Sequence, residues 1–84
     1  MGRSARVIPK RLGEKLRRIR LKLNIETFEE MIIKLDCPEV PLYPSGIYLF
    51  EANKREPSLL VLLKYARLAG VAMDVLVDDE LNLL

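Results

Sequence analysis

The residues whose spacing carries chemical meaning in this chain are its lysines and arginines. Arg11, Lys15, Arg18 and Lys22 recur at intervals of four, three and four, which on a helix makes one continuous cationic ridge. Lys54 and Arg55 form a second pair within Asn53-Lys54-Arg55-Glu56. Guanidinium and ammonium groups arranged in this way suit phosphate oxygens, to which they donate charge-assisted hydrogen bonds. Other chemistries are poorly provided for. The chain has no histidine and a single cysteine, Cys37, which removes disulfides, the usual zinc frameworks and every histidine-based triad or metal site. Cys37 lies beside Pro38 in a predicted loop and reads as an unpaired structural thiol. The four glycines, at 2, 13, 46 and 70, are scattered and make no phosphate-cradling loop. Glu29-Glu30 and Asp78-Asp79-Glu80 fall at a helix start and in a charged tail, where capping and solubility account for them. No enzymatic activity, metal or cofactor is expected.

The net charge of +2 conceals a division. Residues 1 to 22 carry nine Lys or Arg against one Glu, while residues 23 to 84 carry five against eleven acids. A basic surface facing a polyanion, with an acidic remainder, is what such asymmetry suggests. Arg3 and Arg6 contribute to it from a basic N-terminal arm, residues 1 to 9, placed to follow a nucleic-acid backbone or a minor groove.

Residues 10 to 84 have the length for one small core, too little for a layered enzyme with a deep cleft. Half of the chain is hydrophobic and 31% is charged, a globular balance, and no apolar run approaches a bilayer span. The basic start has no apolar stretch behind it, so it does not read as a secretory signal and a cytoplasmic location is expected.

A first helix, roughly Lys10 to Leu23, follows Pro9, is expected to bury Leu12, Leu16, Ile19 and Leu23, and ends near Asn24. Thr27-Phe28-Glu29-Glu30 has the capping-box pattern and starts a second helix ending near Leu35, with Phe28, Met31, Ile32 and Leu35 inward. Three prolines between Asp36 and Pro44 enforce a loop. A third helix begins near Ser45, its expected cap, and ends near Asn53, with Ile47 and Phe50 inward. Pro57 suits the first turn of a fourth helix that stops at Gly70 and buries Leu59, Leu62, Leu63, Ala66 and Ala69. A fifth, from about Met73 to Leu81, carries Asp74 in its first turn and buries Met73, Leu76 and Val77. The apolar end, Leu81, Leu83 and Leu84, either packs back on the core or meets a second copy.

Three blocks occur in order along this pattern. They are Leu12-Gly13-Glu14-Lys15-Leu16-Arg17-Arg18-Ile19-Arg20, then Thr27-Phe28-Glu29-Glu30-Met31, then Glu51-Ala52-Asn53-Lys54-Arg55-Glu56-Pro57-Ser58-Leu59 running on to Tyr65-Ala66 and Gly70-Val71. Together they resemble the lambda-repressor-like helix-turn-helix domains, also called the XRE family, over about Arg11 to Asp79. The resemblance implies an all-α, compact five-helix domain. Because eleven residues separate Leu35 from Ile47, the link between helices two and three is enlarged relative to the family's tight turn.

In this family the third helix enters the major groove, while the start of the second helix and the loop after the third hold phosphates. Carried over, base reading falls to Pro44, Ser45, Gly46, Tyr48 and Leu49. Phosphate contact falls to Thr27, Asn53, Lys54 and Arg55, to which the ridge adds Arg11, Lys15 and Arg18. The glutamine common near the start of the family's second helix is replaced here by Phe28 or by Thr27. The resemblance also implies a structural pair, Arg20 with Glu51, whose loss would cost roughly 1 to 3 kcal/mol.

The expected function is a sequence-specific transcriptional regulator that binds double-stranded DNA as a homodimer, with half-sites roughly 34 Å apart. Val75, Leu81, Leu83 and Leu84 are the expected dimer surface, and no small-molecule substrate is evident. The alternative is a protein-interaction module, antitoxin-like or an accessory subunit, with weakened base readout. Its contact patch would be Tyr43, Ile47, Tyr48, Leu49 and the proline-bearing loop. No Arg, Lys, Asn or Gln occurs between Asp36 and Phe50, and these are the side chains that read base edges.

Overall fold

Five helices follow one another in a computed structural model that describes residues 7–83: α1 Leu12–Lys22, α2 Phe28–Leu35, α3 Pro44–Glu51, α4 Leu59–Ala69 and α5 Met73–Val77. No strand occurs among the described residues. Arg3 and Arg6 of the arm, and the dimer candidate Leu84, lie outside them. Helix α1 packs on α3, α4 and α5, and α2 packs on α3 and α4, so one core serves all five. Leu12, Leu16, Ile19, Met31, Leu35, Ile47, Val61, Leu62, Tyr65 and Leu76 form its centre. No helix of the described residues is long and apolar enough to cross a membrane.

Local chemistry accounts for most boundaries. The Thr27 hydroxyl accepts the Glu30 N–H at 3.1 Å and so begins α2. Asn24, Asp36, Asn53 and Gly70 all have positive φ, between 50° and 70°, and close the turns that follow α1, α2, α3 and α4. Two starts differ from expectation. Pro44 occupies the first turn of α3, after Tyr43, and Ser45 does not cap it. At α4 it is Ser58 that caps, through Val61 N–H, while Pro57 sits just before the helix.

Three apolar faces are also rotated from the expected ones. Leu59 is 73% exposed, and α4 buries Val61, Leu62, Tyr65 and Ala66 instead. Leu59-Leu60-Val61-Leu62-Leu63 is apolar all round, so periodicity alone leaves the inward direction open. Leu23 lies beyond the last turn of α1 and is exposed, as is Val77 at the end of α5, which stops at Val77 where the chain becomes extended at Asp78. The apolar end packs back: Leu83 is buried against Ile19, Leu23, Leu68, Ala69 and Val71.

The start of α1 is capped from far along the chain. The Asp79 carboxylate accepts both the Lys10 and Arg11 backbone N–H groups, at 2.9 and 3.0 Å. The Asn53 side-chain oxygen accepts Gly13 N–H at 2.9 Å, while its amide donates to the Pro9 carbonyl. Gly13 is required there, because a Cβ would sit 2.6 Å from the Glu51 carbonyl oxygen.

Candidate nucleic-acid interface

One side of α1 is held against α3. Arg20 donates from Nε to Glu51 Oε2 at 2.7 Å and from a terminal nitrogen to Oε1 at 3.1 Å, and its other terminal nitrogen donates to the Ile25 carbonyl. The pair expected between these residues is therefore present, bidentate and nearly enclosed. The Glu51 hydrogen bond holds the Arg20 guanidinium even more firmly protonated than usual, against the opposing effect of burial. Phe28 covers it, its ring centroid 5.0 Å from the guanidinium carbon. This brace fixes how α3 is presented.

Along α3, Ser45 and Tyr48 are exposed, whereas Leu49 is half-buried and Gly46 is buried. Gly46 is thus withdrawn from the base-reading set. It faces inward one residue before Ile47, and its Cα side lies 3.9 Å, measured from an added Cβ, from an Arg55 guanidinium nitrogen. That contact lays Arg55 back along the first half of α3. Lys54 and Arg55 are exposed, and their side chains have no hydrogen bond or ion pair among the described residues. Their backbone N–H groups are not free, however: both turn back to the Leu49 carbonyl, and Asn53 N–H goes to Phe50. Only their side chains remain for phosphate.

Several expected phosphate ligands have internal duties instead. Lys15 is fully buried, and its Nζ donates to the Val75 and Asp78 carbonyls at 2.7 and 2.9 Å, closing the end of α5. Burial, with Arg11 close by, pulls its pKa below the ordinary lysine value. Arg11 donates to the Asp79 carbonyl at 2.9 Å, and Asn53 is committed to Gly13, Pro9 and Lys10. Thr27 is exposed, with its hydroxyl engaged as the α2 cap.

The ridge as a whole faces the wrong way. At 100° per residue, Arg11, Lys15, Arg18 and Lys22 point about 180° from Gly13 and Arg20, the residues of α1 that meet α3. Arg18 is exposed but belongs to the α5 side. Spacing revealed the stripe correctly and gave no information on what would pack against it. Arg17 is the cation that sequence reading passed over: it is exposed, without a partner among the described residues, and lines a cleft with Tyr48, Phe28 and Ala52. The signal was available, since Arg17 sits three residues before Arg20 and so shares its side of the helix.

No family model, curated protein or solved structure matches this chain. Its function therefore has to be argued from this surface. Of the dimer candidates, Leu83 is spent on the domain's own core and Val75 is half-buried against it, leaving Leu81 exposed beside Val77.

Proposed function

We propose that this chain is a lambda-repressor-like helix-turn-helix domain that binds double-stranded DNA and regulates transcription, with α3 presented to the major groove. One observation carries the reading. The exposed face of α3 is bracketed by cations whose side chains have no partner among the described residues, Arg17 on one side and Lys54 with Arg55 on the other. The Arg20–Glu51 brace holds that face rigidly, as recognition by a preformed surface requires. Phosphate contact then supplies most of the affinity, and Ser45 with Tyr48 supplies what base contact there is. Pairing of two copies through Leu81 and Val77 would set two such faces on one duplex.

Selection of bound sequences from a random duplex pool tests this. An enriched palindrome is expected, and enrichment lost on Lys54→Ala with Arg55→Ala ties it to the loop. No enrichment at low salt would refute it.

A second reading draws on a different feature. Ile33, Tyr43 and Tyr48 are 74%, 64% and 54% exposed, an apolar display around the α2–α3 link. On that reading the face docks a protein. Tyr48→Ala with Leu49→Ala asks whether α3 reads bases: DNA binding that survives with unchanged sequence preference takes that role from it, whereas a duplex pool that yields no enrichment favours the protein-binding module.

A further inference from the structure

Three clefts of the described surface differ in charge. Between α1 and α4, beside Leu83, Lys22 is the charged lining residue, and it has a partner of its own. Beneath the α2–α3 link the lining is apolar apart from Asp36. The cleft between α1 and α3, about 240 Å³, is lined by Arg17, Arg20, Phe28, Tyr48, Glu51 and Ala52. Two guanidinium groups there meet one carboxylate, and all three nitrogens of Arg20 are engaged with Glu51 and Ile25. Arg17 therefore gives this cleft a net positive charge that no ion pair among the described residues neutralises.

The Tyr48 ring shares this lining with Arg17, more than half exposed and tilted at 57° to Phe28 with centroids 6.5 Å apart. A guanidinium unpaired among the described residues, in one cleft with an exposed aromatic ring, suits a ligand that joins an anion to an apolar flank. A nucleotide backbone unit, phosphate plus sugar, has that form. We propose that Arg17 anchors one phosphodiester of duplex DNA at the mouth of this cleft, with the Tyr48 ring packed against the adjoining deoxyribose. The inference rests on the duplex-binding reading and changes the role of Tyr48 within it, from base reader to backbone contact. It also moves the α1 contribution from the Arg11–Lys22 ridge to the opposite side of the helix.

The test is anisotropy titration of the full chain with a labelled duplex across a salt series. Arg17→Ala is expected to weaken binding several-fold, to make the log-log salt dependence shallower by about 0.9, and to leave relative preference among sequences unchanged. Arg17→Lys should restore the slope, and Arg18→Ala on the α5 side should match the parent protein. Thermal unfolding should be unaltered by Arg17→Ala, since the side chain has no partner among the described residues. For Tyr48, Phe should bind like the parent, and Ala should lose affinity equally on all sequences. A parent-like salt slope for Arg17→Ala overturns the inference while leaving duplex binding intact. Equal losses on a single strand of the same length overturn the duplex docking, and no binding by the parent protein overturns both readings together.

Discussion

The two sides of α1 carry cations of the same types and use them differently. Toward α5, Lys15 and Arg11 are drawn inward, and their donors close the end of α5 and hold Asp79. Toward α3, Arg20 is locked to Glu51 while Arg17, one turn earlier, lines a cleft with no partner among the described residues. Positive charge along a helix is thus a supply of donors, and its use depends on which backbone carbonyls or carboxylates come within reach. A long lysine stem can lie along apolar neighbours while its ammonium finds carbonyls at a helix end. The evenly spaced ridge, the most conspicuous charge feature of the sequence, is half consumed by the fold.

The largest effect should come from the α3 side. Gly13→Ala gains roughly 1 kcal/mol of helix propensity but drives a Cβ to within 2.6 to 2.9 Å of backbone atoms of Phe50, Glu51 and Asn53. Backbone does not yield as a side-chain tip does, so a net loss of about 2 kcal/mol is expected in denaturant unfolding. A variant as stable as the parent would mean that α1 and α3 are less closely apposed. On the α5 side, Lys15→Ala removes two charge-assisted hydrogen bonds to helix-end carbonyls and should cost about 2 kcal/mol or slightly less. Lys15→Met, which keeps the stem, should recover part of it. If both variants are neutral, the two sides of α1 do not differ as described.

The smallest effect depends on pH. The Arg11 and Lys10 backbone N–H groups hold the Asp79 carboxyl below its usual pKa, so the unfolded chain binds this proton more readily than the folded one. Stability from Asp79 is therefore present above the unfolded carboxylate value, about 4, and is lost as pH falls through the lower folded value. Asp79→Asn should lower stability modestly at pH 7, where the carboxylate cap is fully formed, and flatten that part of the acid unfolding profile. A profile identical to that of the parent would exclude the carboxylate cap.

What was legible in advance follows from what is local. Capping by Thr27, closure at Asn24, Asn53 and Gly70, and the inward directions of Leu12, Leu16, Ile19, Ile47 and Phe50 are written within a few residues of each element. Arg20 with Glu51 was legible through resemblance, and the structure contains the pair. The burial of Lys15, the double duty of Asn53 and the cap provided by Asp79 depend on partners up to 69 residues away, which helical periodicity does not encode. Leu59 failed for a different reason, since a helix start that is apolar on every side does not specify its inner face. Arg17 was obscured by its neighbours: in Arg17-Arg18-Ile19-Arg20 only the packing of α3 tells the free cation from the braced one.

The sole thiol, at Cys37, is 6% exposed within the loop that joins α2 to α3. An alkylating reagent reaches that sulfur when the loop lifts from the core, so the speed of modification becomes a clock for local opening next to α3. If a partner grips α3 and stills the loop, the clock slows, and the contact can be timed without attaching any probe to the contact face.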